Sequence, residues 1–538
     1  MKNPFFIKKL TAPEHQTSNE RKITFSIKLK YVQLLFALFT LGILLAGCQS
    51  ADEYRNQRAE LAIKHFEMFK LKTIPKGKVF TLPECITNAL QHNLDLKVYD
   101  LEEMIARENK TAEMLGMLPD LNVSYDATAR SNTPASSSRK LSGDGATYGA
   151  SQGRDKNTGE FKIEMMLSVL DFGLAFINSA QAQDRIIVRE QQTIRAAQNL
   201  SLQVVKTYFK VAAAQRAINI TTDLLQRCRS RSELLKSIAK RHILSPFRLF
   251  DEHKRFVNLE KRLTAYIRSY ENACVELRAL MGYFPNREIK VDEGALVQLR
   301  KIKLPDIGLM EKIALMQRSE LYQLDVNRHI TVNEARKTIL MMMPNVRIFV
   351  NFNQSSNAFL YYQSWWEIGA RAAYNLLKLP QQISRYKSLE QQADANMLRT
   401  MALSIGIISQ VRIAHANIIE TEDRYDINKK VYDTYSKNLK YAKANIQTTG
   451  ALSRLELDRI ELETAETKID CIISLSQYYI AYYQLLNMVG VKNLEQKNLD
   501  YMTKKIKAAE ARIAEEETKT EAKATPVPAP VKTKDKSE

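Results

Sequence analysis

The chain has 538 residues but only 17 Gly and 14 Pro, so long stretches carry no local reason to stop being helical. Its net charge of +19 comes from Lys and Arg dispersed along apparent helices; without a compact basic stripe interleaved with aromatics, it does not read as a nucleic-acid binder. The seven His are never within five residues of one another, the five Cys form no CxxC pair, and no Walker A, GxGxxG or GxSxG motif occurs, so neither a metal or cofactor site nor catalytic chemistry is expected.

In chain order, residues 1–30 are basic and polar, and the apolar run Tyr31–Ala46 follows. That run is shorter than the ~20 residues a spanning helix needs and suits the hydrophobic part of a secretory signal. It ends in Leu45-Ala46-Gly47-Cys48, which resembles a bacterial lipobox. The resemblance implies that residues 1–47 are removed and that the Cys48 thiol carries a covalent lipid. Gln49 follows instead of Asp, so the usual inner-membrane retention signal is absent. An uncleaved anchor is the alternative. Residues 48–80 are expected to form an extended arm. Cys85, Cys228, Cys274 and Cys471 are expected as free, partly buried thiols.

The remainder reads twice. Ala89-Leu90 matches Ala314-Leu315, and Leu118-Pro119-Asp120-Leu121-Asn122-Val123 matches Met343-Pro344-Asn345-Val346-Arg347-Ile348, both 225 residues apart. Leu244-Ser245 matches Leu452-Ser453, and Met281-Gly282 matches Val489-Gly490, at 208. Two constant offsets with one step between them mean a duplicated unit with one insertion. The copies are placed at 81–290 and 304–492. The insertion falls in the Ser/Gly-rich stretch between Pro119 and Leu170 of the first copy.

Each unit is predicted to open with one helix, about Pro83–Met117 and Asp306–Met342, closed by Pro119 and Pro344. Alternation then predicts strands at Asn122–Ala127 and Val346–Phe352, with partners at Phe161–Leu170 and Trp366–Leu377. A helix of about 65 residues follows in each copy, spanning roughly 100 Å. Ala197, Val204, Val211, Ile218 and Leu225 recur every seventh residue, as in a coiled-coil seam. A turn and a returning helix end each unit at Gly282 and Gly490, where Gly supplies a left-handed cap. Met341-Met342-Met343 reads as space-filling near a strand entry rather than as a copper site. Residues 493–538 are charged and Lys/Pro-rich, begin with helical propensity and are expected to be disordered.

The fold class is therefore mostly α with a small β part, internally duplicated, with two hairpins per chain. Four strands cannot close a membrane barrel, whose smallest versions use about eight, and an open edge is not tolerated in lipid. Other copies must complete the sheet, and a trimer would supply twelve strands. Tyr361, Tyr362, Trp365 and Trp366 cluster near the second hairpin and read as an interface belt at the membrane surface.

The order helix, hairpin, long helix, helix, written twice, resembles the TolC-type outer-membrane efflux family over residues 80–492. NALQHNLDL, LPDLNVSYD and SVLDFGLAF resemble its opening phrase, strand entry and re-entry from the second strand; in the second copy, Pro380 stands where Gly is expected. With Cys48, the chain resembles the acylated branch. The resemblance implies a homotrimer whose β-barrel crosses the outer membrane and whose α-barrel crosses the periplasm. It implies a periplasmic adaptor and an inner-membrane transporter as partners, and no cofactor beyond the lipid. The helix tips would then carry the gate and the adaptor contact. These are His242 and Ser245 in the first copy, and Gly450, Ser453 and Glu456 in the second. Arg459 stands where the family often has a second acid, and Asp458 points elsewhere on the helix. The alternative is a non-conducting coiled-coil spacer lipoprotein of the cell envelope, which would have no use for the hairpins.

Overall fold

The computed structural model describes residues 50–75, 77–137, 149–240, 246–285, 288–448 and 454–523. The signal segment, Cys48, His242, Ser245, Gly450, Ser453 and the Pro-rich end lie outside them. The chain divides into two compact units, residues 1–73 and 74–538.

The described part of the first unit is helix α1 (Ala51–Lys70). This corrects the extended arm expected there. The Ser50 hydroxyl accepts from the Glu53 amide at 3.2 Å, and Asp52 and Glu53 occupy the positive end of the helix. No residue of α1 is buried, so capping and propensity rather than packing account for it.

In the second unit, the short strand β1 (Val79–Phe80) pairs in parallel with β4 (Lys290–Val291). Helices α2 (Leu82–His92) and α3 (Leu94–Leu115) precede the hairpin β2 (Asp120–Ala129) and β3 (Asn157–Ser168). Helix α4 (Val169–Lys240) then runs 72 residues, ~108 Å at the α-helical rise, and α5 (Pro246–Leu280) returns. The second copy repeats the series as α6 (Ile307–Gln317), α7 (Ser319–Leu340), β5 (Asn345–Ser355), β6 (Ser364–Ala373), α8 (Leu379–Thr448) and α9 (Arg454–Val489). Paired helices have matching lengths: 11 and 11, 22 and 22, 72 and 70, 35 and 36 residues. Helix α10 (Gln496–Lys523) follows. It replaces the disorder expected for the first part of the tail, because Leu499 and Ile506 sink into the core and Lys312 pairs with Glu510.

The single opening helix expected in each copy is two helices. At Asn93 the backbone turns extended (ψ 127°), and its side-chain oxygen accepts from the Leu96 amide at 3.1 Å. Asn is a strong N-cap, so it ends one helix by starting another. In the second copy Arg318 holds the break, with ψ 116°. Its buried guanidinium donates to both Glu320 oxygens at 3.0 Å and to the Met488 carbonyl at 3.0 Å. Arg195 shares Glu320 at 2.8 Å and donates to Asn487. Burial, then Arg318, lowers the Arg195 pKa. One carboxylate and the carbonyl end of α9 therefore hold two partly desolvated cations.

The core lies midway along the long helices, where the short elements wrap them. Val204, Val211, Leu277, Met281, Ile313, Ile407 and Leu485 are fully buried there. The Phe209 and Tyr479 rings stack at 5.3 Å, and the Tyr208 hydroxyl donates to the Asp292 carbonyl at 2.7 Å. A smaller cluster nearer the tips joins Leu224, Cys228, Leu263, Leu462 and Ile469.

The thiols of Cys85, Cys228 and Cys274 are at most 1% exposed. Burial pushes Cys85 up to about 12, and Cys228 and Cys274 up to about 11. Because the thiolate is the reactive form, N-ethylmaleimide at neutral pH should leave all three unlabelled in folded protein and label them after denaturation. Mass spectrometry showing native-state labelling of Cys85 at a free-thiol rate would contradict this burial.

Candidate functional site

The four long strands form one antiparallel sheet in the order β2-β3-β5-β6. Its register sorts the side chains by chemistry. Leu121, Val123 and Tyr125 stand opposite Met165, Ile163 and Phe161. Those stand opposite Val350, Phe352 and Gln354. Phe352, Val350 and Ile348 stand opposite Trp366, Ile368 and Ala370. Since side chains alternate between faces, one face is almost wholly apolar across all four strands. The other carries Asp120, Asn122, Ser124 and Asp126, then Glu160, Lys162 and Glu164, then Arg347, Asn351 and Asn353, then Glu367 and Arg371.

The apolar face is not a core. Leu121, Val123 and Tyr125 are 63–69% exposed, and Trp366 and Ile368 exceed 70%. Strands of 10–12 residues match the ~9–11 that a tilted strand needs to cross a bilayer. Apolar-out and polar-in alternation is the pattern of a membrane barrel wall. Two glycines are covered by rings from the adjacent strand. Gly159 lies under the Tyr125 hydroxyl and Gly369 under the Phe349 ring, and a Cβ on either would push that ring aside.

The aromatic belt is split by this register. Trp366 stands on the apolar face against Phe352, with ring centroids 5.1 Å apart, whereas Trp365 stands opposite Asn353 on the polar face. Tyr361 and Tyr362 pack edge-to-face in the β5–β6 connection and are 92% and 73% exposed.

Both ends of the sheet are open, at β2 and β6. The helices beneath repeat this order, with α3 on α4, α4 on α7 and α7 on α8. The outer helices expose apolar stripes. On α3 these are Leu94, Val98, Leu101 and Ile105, each 53–59% exposed, at the i, i+4, i+7, i+11 spacing of one helix face. On α8 they are Leu398, Met401 and Ile405, 50–67% exposed. An 18-residue window of that helix has mean hydropathy 1.3 yet is only 22% buried. Counting 1.5 Å per residue from the sheet, the two stripes overlap at a depth of ~30 Å. Strand edge and helix stripe are thus unpartnered on the same two sides of the protomer.

Toward the tips, ion pairs lock the helices together. Arg231 pairs with Asp458, and Glu461 receives Arg227 at 3.0 Å and Lys443 at 2.8 Å. The Lys443 hydrogen bond, with Arg227, lowers the Glu461 pKa. Arg459 pairs with Glu463 at 3.1 Å. Glu456 is exposed in the first turn of α9. Its four companions in the expected gate lie outside the described residues. The sequence reading singled out neither Arg347 and Arg371 nor the two apolar stripes. Strict alternation and helical spacing were the available signals for both.

Sheet and helices together define a protomer whose strands part an apolar surface from a polar one and whose two sheet edges are unpaired. Residues 85–283 match the outer membrane efflux protein family. No curated protein matches the chain in sequence. Solved structures share its fold. The CmeC outer membrane channel of Campylobacter jejuni matches at TM-score 0.61 and 13% identity, covering 81% of this chain and 95% of that one. The open-state MtrE outer membrane channel of Neisseria gonorrhoeae matches at 0.59 and 16%, covering 76% and 88%. The outer membrane protein VceC of Vibrio cholerae matches at 0.56 and 15%, covering 77% and 97%. The family match thus spans the first copy of the duplicated unit, and the likeness to the solved channels extends the same fold over both copies.

Proposed function

We propose that this protein is the outer-membrane duct of a tripartite efflux or type I secretion system. It acts as a homotrimer and passes solutes from an adaptor and an inner-membrane transporter to the exterior. The two-faced, edge-open sheet carries this reading. A lipid-facing apolar surface and a water-facing polar one are what a pore wall needs, and closure needs other copies. The helices of over 100 Å supply the periplasmic reach. The channel performs no chemistry of its own. Acylation at Cys48 would tether each protomer, and three lipid groups hold where one is marginal.

Planar-bilayer conductance of the detergent-extracted protein, with native mass measured in parallel, tests the proposal. A trimer with discrete conductance steps is expected. Glu456→Gln should change step size or ion preference if the second tip forms the constriction. Steps indifferent to that change would keep the duct and remove Glu456 from the gate. A monomer or filament without conductance would leave the spacer reading.

A further inference from the structure

The charges on the polar face are layered. Glu160, Lys162, Glu164 and Glu367 occupy the middle and far rows, where Lys162 is paired with Glu164 at 2.8 Å. The row nearest the long helices is different. Ser168, Arg347 and Arg371 stand side by side there, with the two arginines directly opposite one another. This row lies where β3 enters α4, where β5 begins and where β6 ends. Both arginines are exposed, and neither side chain forms an ion pair or hydrogen bond among the described residues.

Cβ atoms of directly opposed residues lie about 5 Å apart, and like charges there are destabilising. The nearest carboxylates on this face are distant. Asp120 is two strands and one row away, and Glu367 four residues along the strand, each ~12–13 Å off by strand geometry. The Arg371 guanidinium sits 5.9 Å from the Phe349 ring centroid, which holds it over the sheet without neutralising it. The pair thus accepts a repulsive arrangement that no partner within the protomer relieves.

We propose that Arg347 and Arg371 form a lumenal collar that attracts anionic solutes, carboxylate- or phosphate-bearing, where the helical part of the duct meets the strands. The collar rests on the duct reading above. Three protomers place six guanidinium groups around one ring of the lumen. Guanidinium groups stay charged at any working pH and present paired donors to oxyanions. A ring of one sign between low-dielectric walls concentrates its counter-ions.

The test is the reversal potential across a KCl gradient, with chloride as the probe anion, for the full-length trimer in planar bilayers. Arg347→Gln/Arg371→Gln should raise the potassium-to-chloride permeability ratio by roughly threefold or more. Each single variant should move it part of the way. Arg347→Lys/Arg371→Lys should keep the wild-type value, since charge rather than shape acts here. Raising both salt concentrations should shrink the difference by screening. Gln variants that stay trimeric and conduct with an unchanged reversal potential would overturn the collar and leave the duct standing. Trimers that dissociate on Arg371→Gln, while Arg347→Gln trimers stay assembled with an unmoved reversal potential, would overturn it too, because Arg371 would then be pairing with a neighbouring copy. Wild-type trimers without conductance would remove the duct reading and the collar with it.

Discussion

Ile405→Asp should dissociate the oligomer while leaving the protomer folded. Ile405 is 67% exposed in the single chain, so an aspartate there costs the isolated protomer little. In the proposed trimer the stripe Leu398-Met401-Ile405 would be covered. The exposed face that fits it is the α3 stripe, whose deep end at Leu94 meets the Leu398 end of this one ~30 Å below the sheet, presented by the next copy. A carboxylate left unpaired in such a contact costs roughly 3–5 kcal/mol, or about two to three and a half decades of association constant. Every contact around a closed ring carries the same lesion. Val98→Asp on the opposite edge should act alike, and Ile405→Val should be tolerated. Native mass in detergent reads the assembly, and circular dichroism reads the helices. A trimer that persists in Ile405→Asp would show that the stripe faces something other than a second copy.

Much of this was legible because the repeat is long and its periods are strong. The offsets of 225 and 208 residues placed both hairpins and both long helices, and the helix ends at Gly282 and Gly490 fell where expected. Three features were not legible, each for a physical reason. The breaks at Asn93 and Arg318 interrupt an apolar pattern that continues across them, and only backbone angles reveal the change. Strands β1 and β4 have two residues each, too few for any periodicity, and they owe their existence to a partner about 210 residues away. Helix α10 reads as a charged tail because its anchors are few, chiefly Leu499 and Ile506. The predicted second strands ran too far. Leu170 already belongs to α4, and Leu376–Leu377 lie in a 3₁₀ turn before α8. The aromatic belt shows a readable signal passed over. Trp365 and Trp366 are adjacent in a strand, so alternation alone forces them onto opposite faces.

Three glycines with positive φ should rank in a fixed order when replaced by alanine. Gly77, Gly282 and Gly490 have φ of +81°, +74° and +80°, so each substitution pays the left-handed backbone term. Their surroundings differ. A Cβ on Gly77 meets nothing within 4 Å; on Gly490 it comes 3.3 Å from the backbone of Gln317; on Gly282 it comes 2.8 Å from the His92 carbonyl oxygen and 2.9 Å from the His92 Cβ. His92 and Gln317 are the last residues of α2 and α6, just before the two helix breaks. Each glycine therefore seats the end of a returning helix against the break in its own copy. Expected losses are roughly 1 kcal/mol for Gly77→Ala, about 2 for Gly490→Ala and about 4 for Gly282→Ala. Thermal unfolding in detergent, followed by circular dichroism, should reproduce the order even if the absolute values shift with detergent. Equal losses for Gly77→Ala and Gly282→Ala would mean that His92 moves aside at little cost, so that the left-handed backbone alone selects glycine. A far larger loss at Gly282 would mean that close approach of two chain ends selects it, which is why the duplicated unit keeps glycine at both positions while the flanking residues at the breaks, Asn93 and Arg318, have diverged.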